Sequence, residues 1–394
     1  MNRWTLMVLL GLLAACGDTV GTPGGWAGTM DTLPTGRVVV TNPAAGIWDS
    51  TTRWQVIEEV RIGAEEGDGP EVFGRLGAMA TDPAGRIWVM ESQEQVLKVF
   101  DTDGRFVRMI GRRGGGPGEF ANVAGVSALP DGRMIVIDHQ NARISWFDTA
   151  GTFLSSMPVS AGYQVFPWPG RVLRDGSFYD IALPPDGRTG MTLVRYDSTL
   201  APVDTLLVPT WQGETNVLRL GGAAGAPRIT LSIPFSAGLL WRLAPDGTLW
   251  FVHTGTYELH HVSRTGDTTR IASKAFEPIP VTGAERDSAV ARMGRFTRQG
   301  GVVDAGKIPG TKPAVGSFVV AEDGNLWVAT TPADTSRTGR EFDIFDPEGR
   351  FLGALELPFR LSPASRPVIG ANHLVGVTTN EDGVQFLVRA RIER

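Results

Sequence analysis

Two stretches of the chain, "TDPAGRIWVMESQEQVLKVFDTDGRFVRMIG" (Thr81–Gly111) and "ALPDGRMIVIDHQNARISWFDTAGTFLSSM" (Ala128–Met157), are copies of one another. Gly85 matches Gly132, Phe100-Asp101 matches Phe147-Asp148 and Gly104 matches Gly151, each pair 47 residues apart. A poorer copy of the same period places Gly69-Pro70 47 residues before Gly116-Pro117. Self-similarity at this spacing means one structural unit repeated in space. The turn-then-strand element returns as "RDGSFYDI" (Gly176), "PDGTLWFV" (Gly247), "EDGNLWVA" (Gly324) and, weakly, "EDGVQFLV" (Gly383). A turn glycine between apolar runs predicts a hairpin, because glycine tolerates the positive φ that tight turns need.

Three residues after the stronger turn glycines stand Trp88, Ile135, Tyr179, Trp250 and Trp327, with apolar neighbours on both sides in cases such as Ile87 and Val89. A strand without alternation is covered on both faces. These positions therefore predict core, in sheets that are each sandwiched between two others. Four short strands per repeat in radial array account for such a pattern.

The run "GGGPGEF" (Gly114–Phe120) followed by Gly125-Val126, Asp131-Gly132, Asp138, Asn141, Arg143-Ile144 and Phe147-Asp148 resembles the NHL-type six-bladed β-propellers. Within that class the chain looks most like a group of bacterial six-bladed lipoproteins. The resemblance is close over about residues 60 to 157 and degenerate afterwards. It implies an all-β fold of six four-stranded antiparallel blades, which fit near 75–120, 121–168, 169–213, 229–275, 314–360 and 361–394. The last has residues for three strands only. "RWQVIEEVRIG" (Arg53–Gly63) can supply its fourth, so that the two ends of the chain close the ring and remove two sheet edges.

The glycine-rich stretch "GRRGGGPGEF" (Gly111–Phe120) is no phosphate loop. Such a loop ends in Gly-Lys-Ser/Thr, whereas here the glycines run into Pro117 and the acidic Glu119. It separates one unit from the next. With 37 basic against 42 acidic residues and no long run of either sign, the chain lacks the clustered basic surface of a nucleic-acid binder. Neither nucleic acid nor nucleotide is expected as a partner.

At the N-terminus, "MNRWTLMVLLGLLAAC" has Arg3 and then an apolar run from Leu6 to Leu13. That run is short for a membrane span and right for the core of a secretory signal. Leu13-Ala14-Ala15-Cys16 resembles the bacterial lipobox, and Cys16 is the single cysteine of the chain, which leaves it without an internal disulfide partner. The expected organisation is a lipoprotein signal peptide over 1–15, a tether and pre-propeller segment over 16–52, and the propeller over 53–394. The protein would be exported and held at the bacterial cell envelope by acyl chains on Cys16, with no other membrane contact. Within the tether, Gly17 to about Pro34 is rich in Gly, Thr and Pro and reads as a flexible spacer.

With strands A to D counted outward, the D–A and B–C loops share one face and the tight A–B and C–D turns the other. Gly176 to Gly247 spans 71 residues and Gly247 to Gly324 spans 77, an excess over the period of about 24 and about 30 that falls in D–A connections near 209–228 and 276–313. In the second, Thr282 and Glu285 match a capping box. Ala289, Val290, Met293 and Phe296 then follow on one face of a short helix, either a lid over the central opening or packing against two blades.

Six residues after each turn glycine come Glu91, Asp138, Ala182, His253 and Thr330, predicted to ring the channel mouth on the loop-rich face. Glu91, Asp138 and His253 are ligand types for a divalent ion, calcium or zinc. The NHL resemblance implies instead a structural aspartate that caps the B–C turn and pairs with the repeat arginine, here Arg143. Propeller amidating lyases, which this fold resembles, place three inner histidines on zinc; only His253 is so placed. Two functions follow. One is a non-catalytic envelope module recognising a protein, peptide or glycan on the loop-rich face. The other is a metal-dependent, lactonase-like hydrolase or lyase at the channel mouth, which the broken ligand set disfavours.

Replacing Cys16 should separate the anchor from the fold. The Cys16→Ala chain is expected to take up no labelled palmitate in growing cells and to leave the membrane fraction, where the parent chain stays. Label retained by the variant would overturn the lipid anchor.

Overall fold

The computed structural model describes residues 25–159, 166–182, 191–210, 217–220, 229–298, 303–331 and 341–394. The expected signal peptide over 1–15 and Cys16 lie outside the described residues. Three strands precede the repeats: β1 (Thr29–Thr32), β2 (Val38–Asn42) and β3 (Gln55–Ile62). Blade one is β4–β7 (Leu76–Thr81, Ile87–Glu91, Val96–Phe100, Phe106–Ile110), and blade two is β8–β11 (Val123–Ala128, Met134–Asp138, Arg143–Phe147, Phe153–Pro158). Blade three is β12–β15 (Arg171–Val172, Phe178–Ala182, Thr192–Tyr196, Pro202–Leu207), followed by a hairpin, β16–β17 (Val217–Leu220, Ile229–Ser232). Blade four is β18–β21 (Leu239–Leu243, Leu249–His253, Glu258–Val262, Thr268–Lys274), and two short helices follow it, α1 (Gly283–Arg292) and α2 (Gly294–Arg298). Blade five is β22–β25 (Val315–Val320, Leu326–Thr330, Glu341–Phe345, Phe351–Glu356). Blade six takes β26–β28 (Val368–Ile369, His373–Thr379, Gln385–Glu393) and then β3, in the order β26-β27-β28-β3.

The ring is closed by β3 lying antiparallel on β28, from Leu387 opposite Ile62 to Glu393 opposite Gln55. The N-terminal strand thus completes the last blade as the sequence predicts. Every blade-to-blade interface carries its own buried cluster. Trp88, Met90, Met134 and Val136 join blades one and two, and Ile135, Ile137 and Phe178 join two and three. Tyr179, Leu249 and Phe251 join three and four; Trp250, Val252 and Phe318 join four and five; Trp327, Leu374 and Val388 join five and six. Val377, Leu387, Ile87 and Val89 join six back to one. Neighbouring residues of one strand thus serve opposite interfaces: Ile87 and Val89 face blade six while Trp88 and Met90 face blade two. That is why the strands show no polar alternation.

The turns between first and second strands are near-identical. In the first, the amides of Ala84 and Arg86 donate to Asp82 Oδ1 at 3.0 Å each, and Gly85 N donates to the Asp82 carbonyl at 2.8 Å. Gly85 has φ +79° and Gly132 +87°, where any side chain would be strained. Blade six departs from the pattern. Its "EDGV" turn, at Gly383, joins β27 to β28 rather than the first strand to the second, so this weak copy falls at the opposite end of its blade.

The 16–52 segment is not all tether. β1 and β2 form a hairpin, and β2 runs parallel to β21, Val38 opposite Arg270 through Asn42 opposite Lys274, so the sheet of blade four has six strands. The reason is local: Val38, Val39, Val40 and Thr41 form a β-branched run that favours an extended strand, and Val40 is fully buried against blade four. Asn42 then donates to the carbonyls of Ser273 (3.0 Å) and Gly349 (2.9 Å) and accepts from Phe351 N (2.7 Å), tying blade four to blade five. Trp48 N donates to Leu352 O at 2.8 Å along the outer strand of blade five. The N-terminal segment is a belt over the outer edges of blades four, five and six.

Removing residues 53–63 should uncover β28 along its length and take Trp54, Val56 and Ile62 from two interface clusters. The truncated chain is expected to melt well below the parent and to self-associate on size exclusion through the bare edge. An unchanged melt would show that closure does not depend on β3.

Candidate functional site

Glu91, Asp138, Ala182, His253 and Thr330 are the last residues of the second strands of blades one to five, in the register the repeat predicts. The prediction that Glu91 and Asp138 face the channel mouth is corrected. They are 0% and 1% exposed and neither lines the central cavity. Asp138 accepts from Ala121 N (2.8 Å), Asn122 N (3.0 Å), Asn141 N (3.2 Å) and Asn141 Nδ2 (2.8 Å). Glu91 accepts from Arg75 N (2.7 Å) and Glu94 N (2.5 Å). Each carboxylate clamps the incoming first strand of its blade to the turn after the second. In blade four Thr254 takes this part, its hydroxyl accepting from Gly238 N at 2.9 Å.

With their oxygens engaged by donors, Glu91 and Asp138 do not fit a metal centre. Among the described residues no group of three or more His, Cys, Asp or Glu is placed to hold an ion. His253 is not brought to them; it lies against the rings of Phe251 and His260. His260 stacks on Phe251 (4.6 Å between ring centres) while His261 packs on Trp250 (4.8 Å), the opposite faces expected of strand neighbours. Burial holds His260 and His139 below the usual histidine range.

Arg143 does not pair with Asp138 as the resemblance implies. It donates to the carbonyls of Gly115 (3.0 Å), Gly116 (2.6 Å) and Glu119 (2.8 Å). Together with Asn141 Nδ2 on Gly114 O (2.9 Å) it pins the glycine-rich connection shut. Glu119 turns inward onto Gly116 N at 2.7 Å, which with Arg112 lowers its carboxyl below the ordinary range. The connection is filled by its own side chains.

The second insertion packs on residues 231–235, just after the first. Of the 209–228 region, 211–216 and 221–228 lie outside the described residues. α1 carries the predicted capping box, Glu285 N donating to Thr282 Oγ1 (3.2 Å) and Thr282 N to Glu285 Oε2 (3.0 Å). Met293 and Phe296 pack with Ile308 and with Ile233, bordered by Leu231, Phe235 and Val290. This cluster includes no blade strand, and no residue of 229–298 or 303–313 lines the channel. The helix therefore neither lids the channel nor pads two blades; it packs on the segment entering blade four. Arg286 donates to Ala305 O and Ile308 O (2.9 Å each), and buried Lys312 pairs with Glu285 at 2.5 Å, fixing this raised rim. Phe166 (48% exposed) and Phe276 (38%) stand on the same loop-rich face.

The channel holds a cavity of about 940 Å³ lined by the first strands of blades one, two, three, five and six. Between Ser362 N, bonded to Val377 O, and β26, residues 363–367 leave the sheet and cross toward the other side. There Ser365 Oγ donates to Gly77 O (3.2 Å) and Arg366 to Trp168 O (3.3 Å). Arg171 on β12 reaches Leu243 O (3.2 Å), Val320 O (2.9 Å) and Glu322 (2.5 Å). Arg242 on β18 lies over the Phe318 ring at 5.5 Å. Burial pushes Arg242 down to about 10. Burial, then the charges of Arg242 and Arg171, pushes Arg366 down to about 9.

Sequence reasoning missed these arginines. One signal was present: Arg171 and Arg242 each stand five residues before a turn glycine, Gly176 and Gly247, at one register of adjacent blades. Nothing local marks Arg366, because its bulge exists only against the far side of the ring.

A family described as "6-bladed beta-propeller" matches residues 79–166, which cover blade two and most of blade one. The chain is a six-bladed β-propeller. No curated protein matches it. Among solved structures it is similar to the "Putative exported protein" of Bacteroides fragilis NCTC 9343, at 12% identity and TM-score 0.51, over 90% of this chain and 100% of that one. A member of the DUF4221 family from Bacteroides vulgatus gives 10% identity and TM-score 0.50, over 86% and 99%. A gluconolactonase from Xanthomonas campestris gives 14% and 0.41, over 80% and 86%. At these identities the likeness is one of fold.

If Asp138 is a clamp, Asp138→Ala should cost about 3 kcal/mol in denaturant melts, since several buried amides lose their acceptor. The parent melt should not respond to chelator. A chelator-sensitive parent would reinstate an ion at this position.

Proposed function

We propose that this protein is a binding module of the bacterial cell envelope, exported and anchored through Cys16, that engages a protein or peptide on its loop-rich face. The observation that supports this reading is the rim beside blade four. The second insertion shares one apolar cluster there with residues 231–235, which lead into blade four, and is locked by Arg286 and Lys312. A rigid scaffold bearing such loops is where recognition concentrates, and exposed aromatics such as Phe166 and Phe276 are the anchors that protein interfaces favour. The opposite face offers only short turns. Among the described residues no helix is long and apolar enough to cross a membrane; in this reading the lipidated cysteine is the attachment. The metal-dependent hydrolase or lyase gains no support from Glu91 and Asp138, which serve as clamps.

A photo-crosslinking amino acid at position 166 or 276 of the anchored chain should give discrete envelope adducts in living cells. The same probe at Asp103 or Thr265, on the tight-turn face, should give none. Adducts destroyed by protease identify a protein partner; adducts destroyed only by glycan-cleaving enzymes would replace it with a glycan. Equal labelling from both faces would overturn the assignment of the binding face.

A further inference from the structure

We propose that the central channel holds a small oxyanionic ligand, gripped by Arg171 and Arg366, which line it, while Arg242 lies outside the lining over the Phe318 ring and adds positive charge. The inference is independent of the loop-face partner. These guanidiniums come from blades three, four and six and converge where few opposite charges answer them. Among the described residues, Glu322 is the one carboxylate in contact with the three, and Arg171 alone takes it, at 2.5 Å. Arg174 also lines the cavity and adds a further positive charge, donating to the Glu322 carbonyl at 2.8 Å. The other acid of the lining, Asp82, is consumed by Arg86 (2.7 Å) and the Trp88 indole (2.9 Å). Arg242 and Arg366 meet only neutral groups: the Trp241 carbonyl at 2.7 Å and the Phe318 ring for one, the Trp168 carbonyl at 3.3 Å for the other.

The Nε atoms of all three arginines are buried without a hydrogen-bond partner. A buried guanidinium lacking an anion is costly, and neighbouring guanidiniums repel; burial first, and then the charges of Arg242 and Arg171, lower the proton affinity of Arg366. The fold nonetheless holds them in place. The bulge at 363–367 carries Arg366 out of its sheet, with Ser365 fixed to blade one on the way. The missing component is an anion with at least two oxygens, because the planar fork of arginine matches carboxylate or phosphate through paired hydrogen bonds. The cavity of about 940 Å³ admits a metabolite-sized molecule.

The test is titration calorimetry on the full chain in detergent, at constant ionic strength, with inorganic phosphate and with succinate as separate probes. Saturable binding of at least one is expected, with affinity reduced about tenfold or more in Arg366→Gln and in Arg171→Gln, as for a lost charged hydrogen bond. Arg366→Lys, which keeps the charge and loses the fork, should fall between. Succinate alone would identify a carboxylate ligand, phosphate alone a phosphorylated one. Without ligand, Arg366→Gln should melt no lower than the parent, since it relieves the repulsion; a structural arginine would instead leave a weakened fold. If neither probe binds the parent, or binding survives unchanged in a folded variant, the proposal is overturned. Should Arg366→Gln fail to fold, Arg366→Lys and Arg171→Gln decide.

Discussion

Everything in this molecule depends on one antiparallel pairing, β3 on β28. A ring of stacked blades buries its apolar faces only if the last blade meets the first, and a blade of three strands would leave β28 open as an edge. The N-terminal strand closes that blade and supplies Trp54, Val56 and Ile62 to the two interfaces flanking it. Six clusters between six blades then follow, none of which could form as an isolated unit. Contacts so distant in sequence are made late in folding, because loop closure has to be offset before they contribute.

The rest of the N-terminal segment acts on the same principle at the rim. β2 joins the outer edge of blade four in parallel, Trp48 continues along blade five, and β3 ends on blade six. Three consecutive outer edges are covered by one stretch of chain, with Asn42 as the pin between the first two. The chain enters the ring at blade four, the blade flanked by both insertions. The raised rim on the loop-rich face and the start of the folded chain therefore lie on the same blade.

Polar groups inside the ring divide into two kinds. Glu91, Asp138 and Thr254 are satisfied by backbone amides and hold strand entrances in place. Their burial is stabilising because nothing is left unpaired. The channel arginines Arg171 and Arg366 are the reverse, brought together from two blades, each with an unpartnered Nε. Acidic side chains at conspicuous repeat positions thus serve the scaffold, whereas the unsatisfied charge sits at positions without a full repeat signature.

The sequence by itself determined the all-β class, the 47-residue unit, the blade boundaries, the partnership of the two chain ends and the capped helix at Thr282. All of these are written in local chemistry: turn glycines, apolar runs covered on both sides, and Thr and Glu three residues apart. It also placed Glu91 and Asp138 correctly along their strands, though not their role, because a carboxylate's partners are amides of a loop that only folding brings near. The hairpin β1–β2 was missed because β1 falls within the Gly-, Thr- and Pro-rich spacer, and the β-branched run of β2 finds its partner strand only at the edge of blade four. Only the tertiary structure decided that Arg143 holds the glycine-rich connection, that the second insertion packs on residues 231–235, and that Arg171 and Arg366 meet in the channel. Arg171 and Arg366 are separated by most of the ring in sequence, and electrostatic proximity across a closed ring has no local signature.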